Sequence, residues 1–164
     1  MKEDEDVILL TADLGYGLWD RIREDYPDRF YNVGSSEHLM MAMAVGMAME
    51  GKIPVVYSIT PFLLYRPFEV IRNYVDHEKI PVKLVGGGRD QDYGYLGFSH
   101  WAEDDKKIMS CFDNIGIYHP EDLNQLENAV RSSIKAGNIK PKEGNQLIKT
   151  IYSSIQGKTG ADLD

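Results

Sequence analysis

The chain has 164 residues, of which 43% are hydrophobic and 27% are charged, a composition typical of one globular domain with an apolar core. Its formal net charge of −8 argues against nucleic acid as the main partner, and its single cysteine, Cys111, excludes an internal disulfide and a multi-cysteine metal site. The longest apolar run, residues 39–49, is too short to cross a bilayer, and the acidic start lacks the features of a secretory signal, so we expect a soluble cytoplasmic protein without a membrane partner.

Short β-rich runs alternate along the chain with segments whose apolar residues have a helical spacing. The pattern predicts strands at residues 7–10, 30–33, 54–58, 82–86 and 115–118, and helices between and after them at residues 18–26, 37–50, 68–77, 103–111 and 121–135. This alternation predicts an α/β fold, a three-layer doubly wound and mainly parallel sheet with helices on both faces.

The sequence changes character at Gly137, where it becomes polar and the alternation of strands and helices ends. We therefore predict one domain over residues 1–136 and a polar C-terminal extension over residues 137–164, partly helical or disordered. Within this extension, residues 142–156 are predicted to form one more helix, and residues 157–164 a loose tail.

Three glycine-containing loops follow the carboxyl ends of predicted strands, at residues 13–17, 34–37 and 86–100, and a fourth loop is expected after Tyr57. Sheets of this kind bind their ligands at those carboxyl ends. None of the loops has the setting of a phosphate-binding P-loop or of the Gly-x-Gly-x-x-Gly dinucleotide fingerprint. Nucleotide binding by this chain on its own is therefore disfavoured.

Glu37 is the first functional candidate, because it places a carboxylate at the start of an almost wholly apolar, methionine-rich helix. Such a carboxylate is desolvated unless a neighbour hydrogen-bonds to it, and a ligand able to share a proton with it would be favoured. An acidic residue in a first helical turn also complements the helix dipole, and spacing alone favours that structural interpretation.

Several ordered segments resemble the pyrimidine-binding domain of transketolase-like thiamine-diphosphate enzymes, over residues 7–130. Residues 11–15 look like the family's first strand-end loop, and residues 29–40 (Arg-Phe-Tyr-Asn-Val-Gly-Ser-Ser-Glu-His-Leu-Met) resemble its segment R-F-x-N-V-G-I-A-E-Q-N-M. Further matches follow in the family's order at residues 50–58, 61–73, 82–86, 93–100 and 103–104. The resemblance implies the thiamine-diphosphate-binding fold and that cofactor.

The resemblance gives Glu37 a catalytic role, because Glu37 aligns with the glutamate that hydrogen-bonds the cofactor's pyrimidine ring nitrogen. Sharing a proton there favours the imino form of the aminopyrimidine, whose nitrogen can remove the thiazolium C2 proton. His100 aligns with a histidine near the substrate's oxygens and is the second catalytic candidate. Without the resemblance to this family, a lone histidine would be interpreted as a structural or surface residue.

The resemblance also implies a set of cofactor-binding residues, Asp13, Glu37, Phe62, Tyr65 and Arg66. Phe62 is the best candidate for the aromatic wall against the pyrimidine, followed by Tyr65 and Phe68, although composition alone would place each of them in the core. Arg66 either orients its loop or pairs with Glu69. Asp13 either faces the cofactor or a subunit contact, or is a turn residue.

The chain departs from the family at two places. Complete transketolases have an acidic residue shortly before the histidine that His100 resembles, whereas residues 95–99 here read Tyr-Leu-Gly-Phe-Ser, which leaves the sugar contact open. The family's domain also closes with a strand after the helix that begins near Glu121, and residues 137–143 do not resemble that strand. The sheet therefore either lacks this strand or completes it differently.

The sequence contains nothing like the Gly-Asp-Gly motif with a following asparagine that holds magnesium and the cofactor phosphates in this family. We therefore expect a separate diphosphate-binding transketolase-like chain to supply that half of the site, with Mg²⁺ bound through the partner chain and the cofactor phosphates. A homodimer or a heterotetramer is expected, acting on a sugar phosphate or related ketose.

Three functions remain open from the sequence. The first is the pyrimidine-binding subunit of a split transketolase-like enzyme that transfers a two-carbon ketol unit. The second is a subunit of a thiamine-diphosphate-dependent 2-oxo acid decarboxylase, synthase or dehydrogenase. The third is a non-catalytic interaction module that retains the fold.

Overall fold

A six-stranded, wholly parallel sheet is the centre of the molecule, described here from a computed structural model that covers residues 1–137 and 148–153. The strands are β1 Val7–Thr11, β2 Phe30–Asn32, β3 Ile53–Ile59, β4 Lys83–Gly87, β5 Ile115–Tyr118 and β6 Ile148–Ser153. All residues of β1 and β4 are buried, as expected for strands that are covered on both faces.

Helices connect the strands. They are α1 Asp20–Asp25, α2 Glu37–Met49, α3 Thr60–Tyr65, α4 Phe68–Val70, which continues as a π-helical segment Ile71–His77, α5 Asp105–Met109 and α6 Leu123–Gly137. Short 3-10 turns lie at Pro27–Arg29, Gly94–Leu96 and Phe98–His100. None of the helices within the described residues is long and apolar enough to cross a membrane.

The strand order is β2-β1-β3-β4-β6-β5, so the chain leaves β1 towards one edge and then crosses back to β3 on its other side. This reversal creates a switch point between β1 and β3, where the connections diverge and leave a crevice at the carboxyl ends of the strands. Leu10 pairs with Val56 across this position.

The apolar core has two parts, one on each face of the sheet. The larger part includes fully buried residues of α2, α3 and β4, such as Met40, Leu63 and Leu84. The smaller part contains Tyr57 and Ala129, with Trp19 packed against it. Helices therefore cover both faces, and the predicted fold class is confirmed.

All five predicted strands are present with ends within one residue of those expected, and five predicted helices are found, although α1 and α5 are shorter. The helix α3 was not predicted, because a loop was expected after Tyr57. Proline near the start of a helix is favourable, since its N–H would have no partner there and its fixed φ suits the first turn.

The prediction of a helix over residues 142–156 is wrong at Ile148–Ser153, which form β6 between β4 and β5. The sequence Ile-Lys-Thr-Ile-Tyr-Ser is rich in β-branched and aromatic residues, and pairing with two neighbouring strands satisfies its backbone. The sheet therefore has a closing strand after α6, so of the two alternatives inferred from residues 137–143, a sheet that lacks this strand is wrong and a sheet that completes it differently is confirmed. The other residues of the predicted extension, 138–147 and 154–164, lie outside the described residues, and the division at residue 136 stays a prediction for them.

Candidate functional site

Glu37 begins α2 at the carboxyl edge of the sheet. The loop before it leaves β2 at Asn32, and the Val33 N–H donates to the Thr11 carbonyl at 3.0 Å, which fixes the loop to the end of β1. Gly34 then has a φ of 73°, a left-handed conformation that a side chain would strain. This tight turn brings the first helical residue towards β3, where its carboxylate meets Ser58.

The Glu37 carboxylate is deeply buried, with 2% of the residue exposed, yet both of its oxygens have partners. Ser58 Oγ on β3 donates to Oε1 at 2.9 Å, and Arg66 Nη1 donates to Oε2 at 2.6 Å. Ser58 is fully buried, whereas the Arg66 side chain is 45% exposed. A neutral hydroxyl thus holds the carboxylate from the interior and a cation holds it from the solvent side, which offsets the cost of burying it.

Arg66 also lies against the ring of Phe62, with 3.7 Å between the guanidinium carbon and the ring centroid. His100 approaches the same phenyl ring, with 4.8 Å between the ring centroids and 67° between the planes. Ser99 Oγ hydrogen-bonds to His100 Nδ1 at 2.9 Å. The structure therefore brings together Glu37, Arg66, Phe62 and His100, and the alternative pairing of Arg66 with Glu69 is wrong.

Tyr65 makes a different contact from its neighbour Arg66. Its hydroxyl donates to Asp104 Oδ1 at the start of α5, so it joins α3 to α5. Burial, followed by this hydrogen bond, raises the pKa of the Tyr65 hydroxyl. The role of Tyr65 in cofactor binding stays a prediction.

Asp13 belongs to a second hydrogen-bonded group, in the loop after β1. Its backbone has a φ of 57°, and its N–H donates to Asn32 Oδ1 at 2.9 Å. Asn32 Nδ2 donates in turn to Asp13 Oδ1 at 3.4 Å, and the Tyr16 hydroxyl donates to the same carboxylate oxygen. Asn32 Oδ1 also accepts from the Gly34 N–H at 3.0 Å. One amide side chain therefore connects the Asp13 loop with the loop that leads to Glu37.

The end of β4 is attached to the start of α3. Thr60 Oγ1 donates to the Gly87 carbonyl at 3.1 Å and to the Gly88 carbonyl at 2.7 Å. Gly87 has no room for a side chain, because a Cβ there would lie 2.7 Å from the Tyr57 hydroxyl. Burial raises the pKa of Tyr57 to about 12. These contacts set where the loop that carries His100 leaves the sheet.

Ser58, Asn32 and Asp104 take part in these contacts; they lie in segments that resemble the family, but they were not named as site residues. Ser58 and Asn32 are polar residues at or next to the carboxyl ends of strands β3 and β2, which is the signal that could have identified them. Asp104 precedes α5 and is not distinguishable by pattern from an ordinary residue at a helix start.

The loop between β4 and α5 exposes large apolar side chains beside this site. Tyr95 is 72% exposed and Phe98 is 80% exposed. Two cavities of about 300 and 590 Å³ lie elsewhere, one beside β5 and α6 and one between the N-terminal residues and α6. Glu37, Phe62 and His100 line neither of these cavities.

Within the described residues, no group of three or more His, Cys, Asp or Glu side chains is arranged to hold a metal ion. Cys111 is exposed and forms no disulfide. The chemistry available at the site is therefore that of a buried carboxylate, an aromatic face, a guanidinium and an imidazole.

Residues 1–142 match the family model described as the transketolase pyrimidine-binding domain. A protein of Methanocaldococcus jannaschii described as a putative transketolase C-terminal section is 34% identical over 132 residues, which are 80% of this chain and 42% of that protein. One of the subunits of an apulose-4-phosphate transketolase of Actinobacillus succinogenes is 33% identical over 135 residues, which are 82% of this chain and 40% of that protein.

A solved structure described as a split-gene transketolase in an inactive β4 tetramer superposes with a TM-score of 0.76 at 26% identity, over 95% of this chain and 48% of that one. The present chain thus spans less than half the length of the curated relatives and of the solved structure that it matches here. The similarity covers the sheet and the helices that position the site.

Proposed function

Because the chain belongs to the transketolase pyrimidine-binding domain family, we propose that it supplies the pyrimidine-binding half of a thiamine-diphosphate-dependent enzyme that transfers a two-carbon ketol unit. One observation carries this proposal. A carboxylate that is 2% exposed, Glu37, ends beside the aromatic face of Phe62 and is bridged to it by Arg66.

The residues of this site suit an aminopyrimidine. A planar heterocycle with ring nitrogens needs an aromatic surface and a carboxylate at its edge, and Phe62 and Glu37 have this chemistry. Glu37 cannot turn away into solvent, because Ser58 holds its other oxygen at 2.9 Å. The carboxylate is therefore preorganised for a partner that arrives from the side of Arg66.

In this proposal Glu37 holds a proton at Oε2 and shares it with the pyrimidine ring nitrogen, while Ser58 fixes the orientation of the carboxylate. The bound cofactor supplies the electron sink for cleaving a carbon–carbon bond next to a carbonyl. Phe62 would support the plane of the ring, Arg66 and Tyr65 would line its edge, and Asp13 lies in the neighbouring loop. His100, whose ring packs against Phe62, moves protons at the substrate's oxygens.

A second, diphosphate-binding chain completes the site in this proposal. The described residues offer a carboxylate and an aromatic face but no metal-binding group that could hold Mg²⁺ and phosphates. The exposed apolar side chains of Tyr95 and Phe98 also lie beside the site, where a partner would cover them. We propose a homodimer or heterotetramer built around such contacts.

The substrate class is a ketose or a sugar phosphate. One of the relatives is part of an apulose-4-phosphate transketolase, which supports a phosphorylated sugar for this chain as well. The loop at residues 95–99 lies between β4 and His100 and is where the particular sugar would be distinguished. A 2-oxo acid such as pyruvate is the alternative donor.

The test is Glu37→Gln, measured in a verified complex with a diphosphate-binding chain. Glutamine keeps the shape and can still contact Ser58, but it cannot take up or share the proton, so turnover of a ketose phosphate should fall about 100-fold or more while assembly is retained. The matched control is Glu50→Gln, at the exposed far end of the same helix, which should leave turnover unchanged.

Near-normal turnover of the Glu37→Gln complex would refute the catalytic role of Glu37. Turnover of pyruvate but not of a ketose phosphate would replace ketol transfer by the decarboxylation alternative. Absence of any turnover in every verified complex would favour the non-catalytic module.

A further inference from the structure

The Arg66 guanidinium makes two contacts at once, and both are with groups assigned above to the cofactor. One is the 2.6 Å hydrogen bond from Nη1 to Glu37 Oε2, and the other is the close approach of Cζ to the Phe62 ring at 3.7 Å. A guanidinium is planar, delocalised and edged with N–H donors. It therefore satisfies a buried carboxylate and an aromatic face in the same way as a planar nitrogen heterocycle would.

We propose that Arg66 is an internal occupant of the pyrimidine position, which the cofactor's pyrimidine must displace in order to bind. This inference rests on the function proposed for Glu37 and Phe62 and adds a competing residue to it. The overlap is steric as well as chemical, because a separation of 3.7 Å leaves no space for a second planar group between the guanidinium and the phenyl ring.

In the contact between Arg66 and Glu37, the arginine side chain is free to move into solvent whereas the carboxylate is held in place. Glu37 is 2% exposed and held from behind by Ser58, whereas the Arg66 side chain is 45% exposed and follows the last turn of α3. A guanidinium released from this position regains water, whereas a carboxylate moved from it would lose its bond to Ser58. Rotation of the arginine side chain alone opens the position, without any change in the sheet.

Arg66 thus reduces the affinity of the free chain for the pyrimidine group. The carboxylate is never left without a partner, because either the guanidinium or the ligand occupies Oε2. Tight binding then requires additional contacts, which the diphosphate half of the cofactor and the second chain would provide. The chain alone should therefore bind free pyrimidines weakly.

The test uses the full chain and the aminopyrimidine fragment of thiamine, 4-amino-5-hydroxymethyl-2-methylpyrimidine, in NMR titrations. Arg66→Met removes the charge and the planar group, and we expect it to bind the fragment about tenfold more tightly than the native chain. Arg66→Lys keeps a positive charge beside Glu37 but cannot cover the phenyl ring, so its affinity for the fragment should lie between those of the native chain and Arg66→Met. This variant also keeps the test informative if Arg66→Met does not fold.

The matched control is Arg72→Met, which removes an exposed arginine of the segment after α4 that hydrogen-bonds Asn73 and touches neither Glu37 nor Phe62. It should bind the fragment as the native chain does. Adding Glu37→Gln to the native chain should abolish binding of the fragment.

The outcomes separate the two proposals. Equal or weaker binding by both Arg66 variants, together with loss of binding in Glu37→Gln, would overturn the role of Arg66 as an occupant and leave the proposed function standing. If the fragment binds to no variant, or binds Glu37→Gln as well as it binds the native chain, both the proposed pyrimidine site and the role of Arg66 as its occupant would be overturned.

Discussion

Lys83 is a lysine whose side chain lies inside the protein, at the first position of β4. The residue is 4% exposed, and Nζ donates to the Pro81 carbonyl at 3.2 Å. Burial lowers the pKa of the Lys83 ammonium from its usual 10.5 to about 8. At neutral pH the folded protein therefore carries a cation in a poorly hydrated position.

This burial predicts an unusual dependence of stability on pH. Between about pH 8 and 10.5 the unfolded chain binds more protons at Lys83 than the folded chain, so the free energy of unfolding should rise with pH across that window. The penalty is complete below pH 8 and disappears above 10.5. Lys83→Met should raise the free energy of unfolding at pH 7 by about 1–3 kcal/mol and flatten the rise.

Chemical denaturation between pH 7 and 10 measures this effect, with the exposed Lys107→Met as the control that should change neither the value nor the slope. Identical slopes in the native chain and in Lys83→Met would contradict the buried state of this ammonium.

At the level of residues, the sequence singles out Glu37 as a candidate but does not indicate its hydrogen-bond partners. The residue type, the apolar helix after it and the family resemblance all indicate Glu37. Ser58 and Arg66 lie 21 and 29 residues further along the chain, and they reach Glu37 only because β3 and α3 pack beside α2. A pattern within one segment carries no information about such long-range contacts.

Among the elements, α3 and the end of β4 are held in a fixed relation by Thr60 and by the close approach of Gly87 to Tyr57. The Tyr57 ring has little freedom to move away, because it is 7% exposed and packs edge-on against Trp19 with 5.2 Å between centroids.

Two glycine-to-alanine changes should therefore have opposite effects. Gly87→Ala places a methyl group 2.7 Å from the Tyr57 hydroxyl and should lower the free energy of unfolding by about 1–3 kcal/mol. Gly46→Ala in α2 meets nothing within 4 Å and should raise it by about 0.5–1 kcal/mol, because alanine is the better helix former. Urea unfolding of both variants compares them directly, and equal effects would show that the contact with Tyr57 is relaxed at no cost.

The elements were predictable where the local pattern and the tertiary environment agree. The strands β1 and β3 consist mostly of apolar residues, and α2 is apolar from Leu39 to Met49. The helix α3 and the strand β6 were missed, because a loop was expected after Tyr57 and a polar extension was expected from Gly137. In both segments the residues themselves suit the observed element, since Pro61 is favourable in the first turn of a helix and residues 148–153 are rich in β-branched and aromatic side chains.

At the scale of the whole molecule, the proposed function makes this chain one half of a cofactor site, and the described residues contain no group of His, Cys, Asp and Glu side chains arranged to hold a metal ion. We expect no measurable binding when thiamine diphosphate and Mg²⁺ are titrated calorimetrically into the chain alone, and tight binding after it is mixed with the matching diphosphate-binding chain. Tight binding by the isolated chain would mean that it contains a phosphate site of its own.

The overall fold was predictable because alternating strands and helices allow few arrangements, and the parallel doubly wound sheet follows from them. The contacts between the candidate site residues were not predictable in the same way. These residues come from segments that are far apart in the sequence, and only the three-dimensional arrangement of the sheet shows that they meet at one edge.

The amide of Asn32 has a consequence for this edge as a mechanical unit. Its oxygen accepts from the N–H groups of both Asp13 and Gly34, so the two loops share a single anchor. A shift of one loop would stretch its hydrogen bond to Asn32 and so favour a shift of the other loop. A partner that displaces the Asp13 loop would therefore also displace the loop that leads into α2. The two loops would then move together rather than independently.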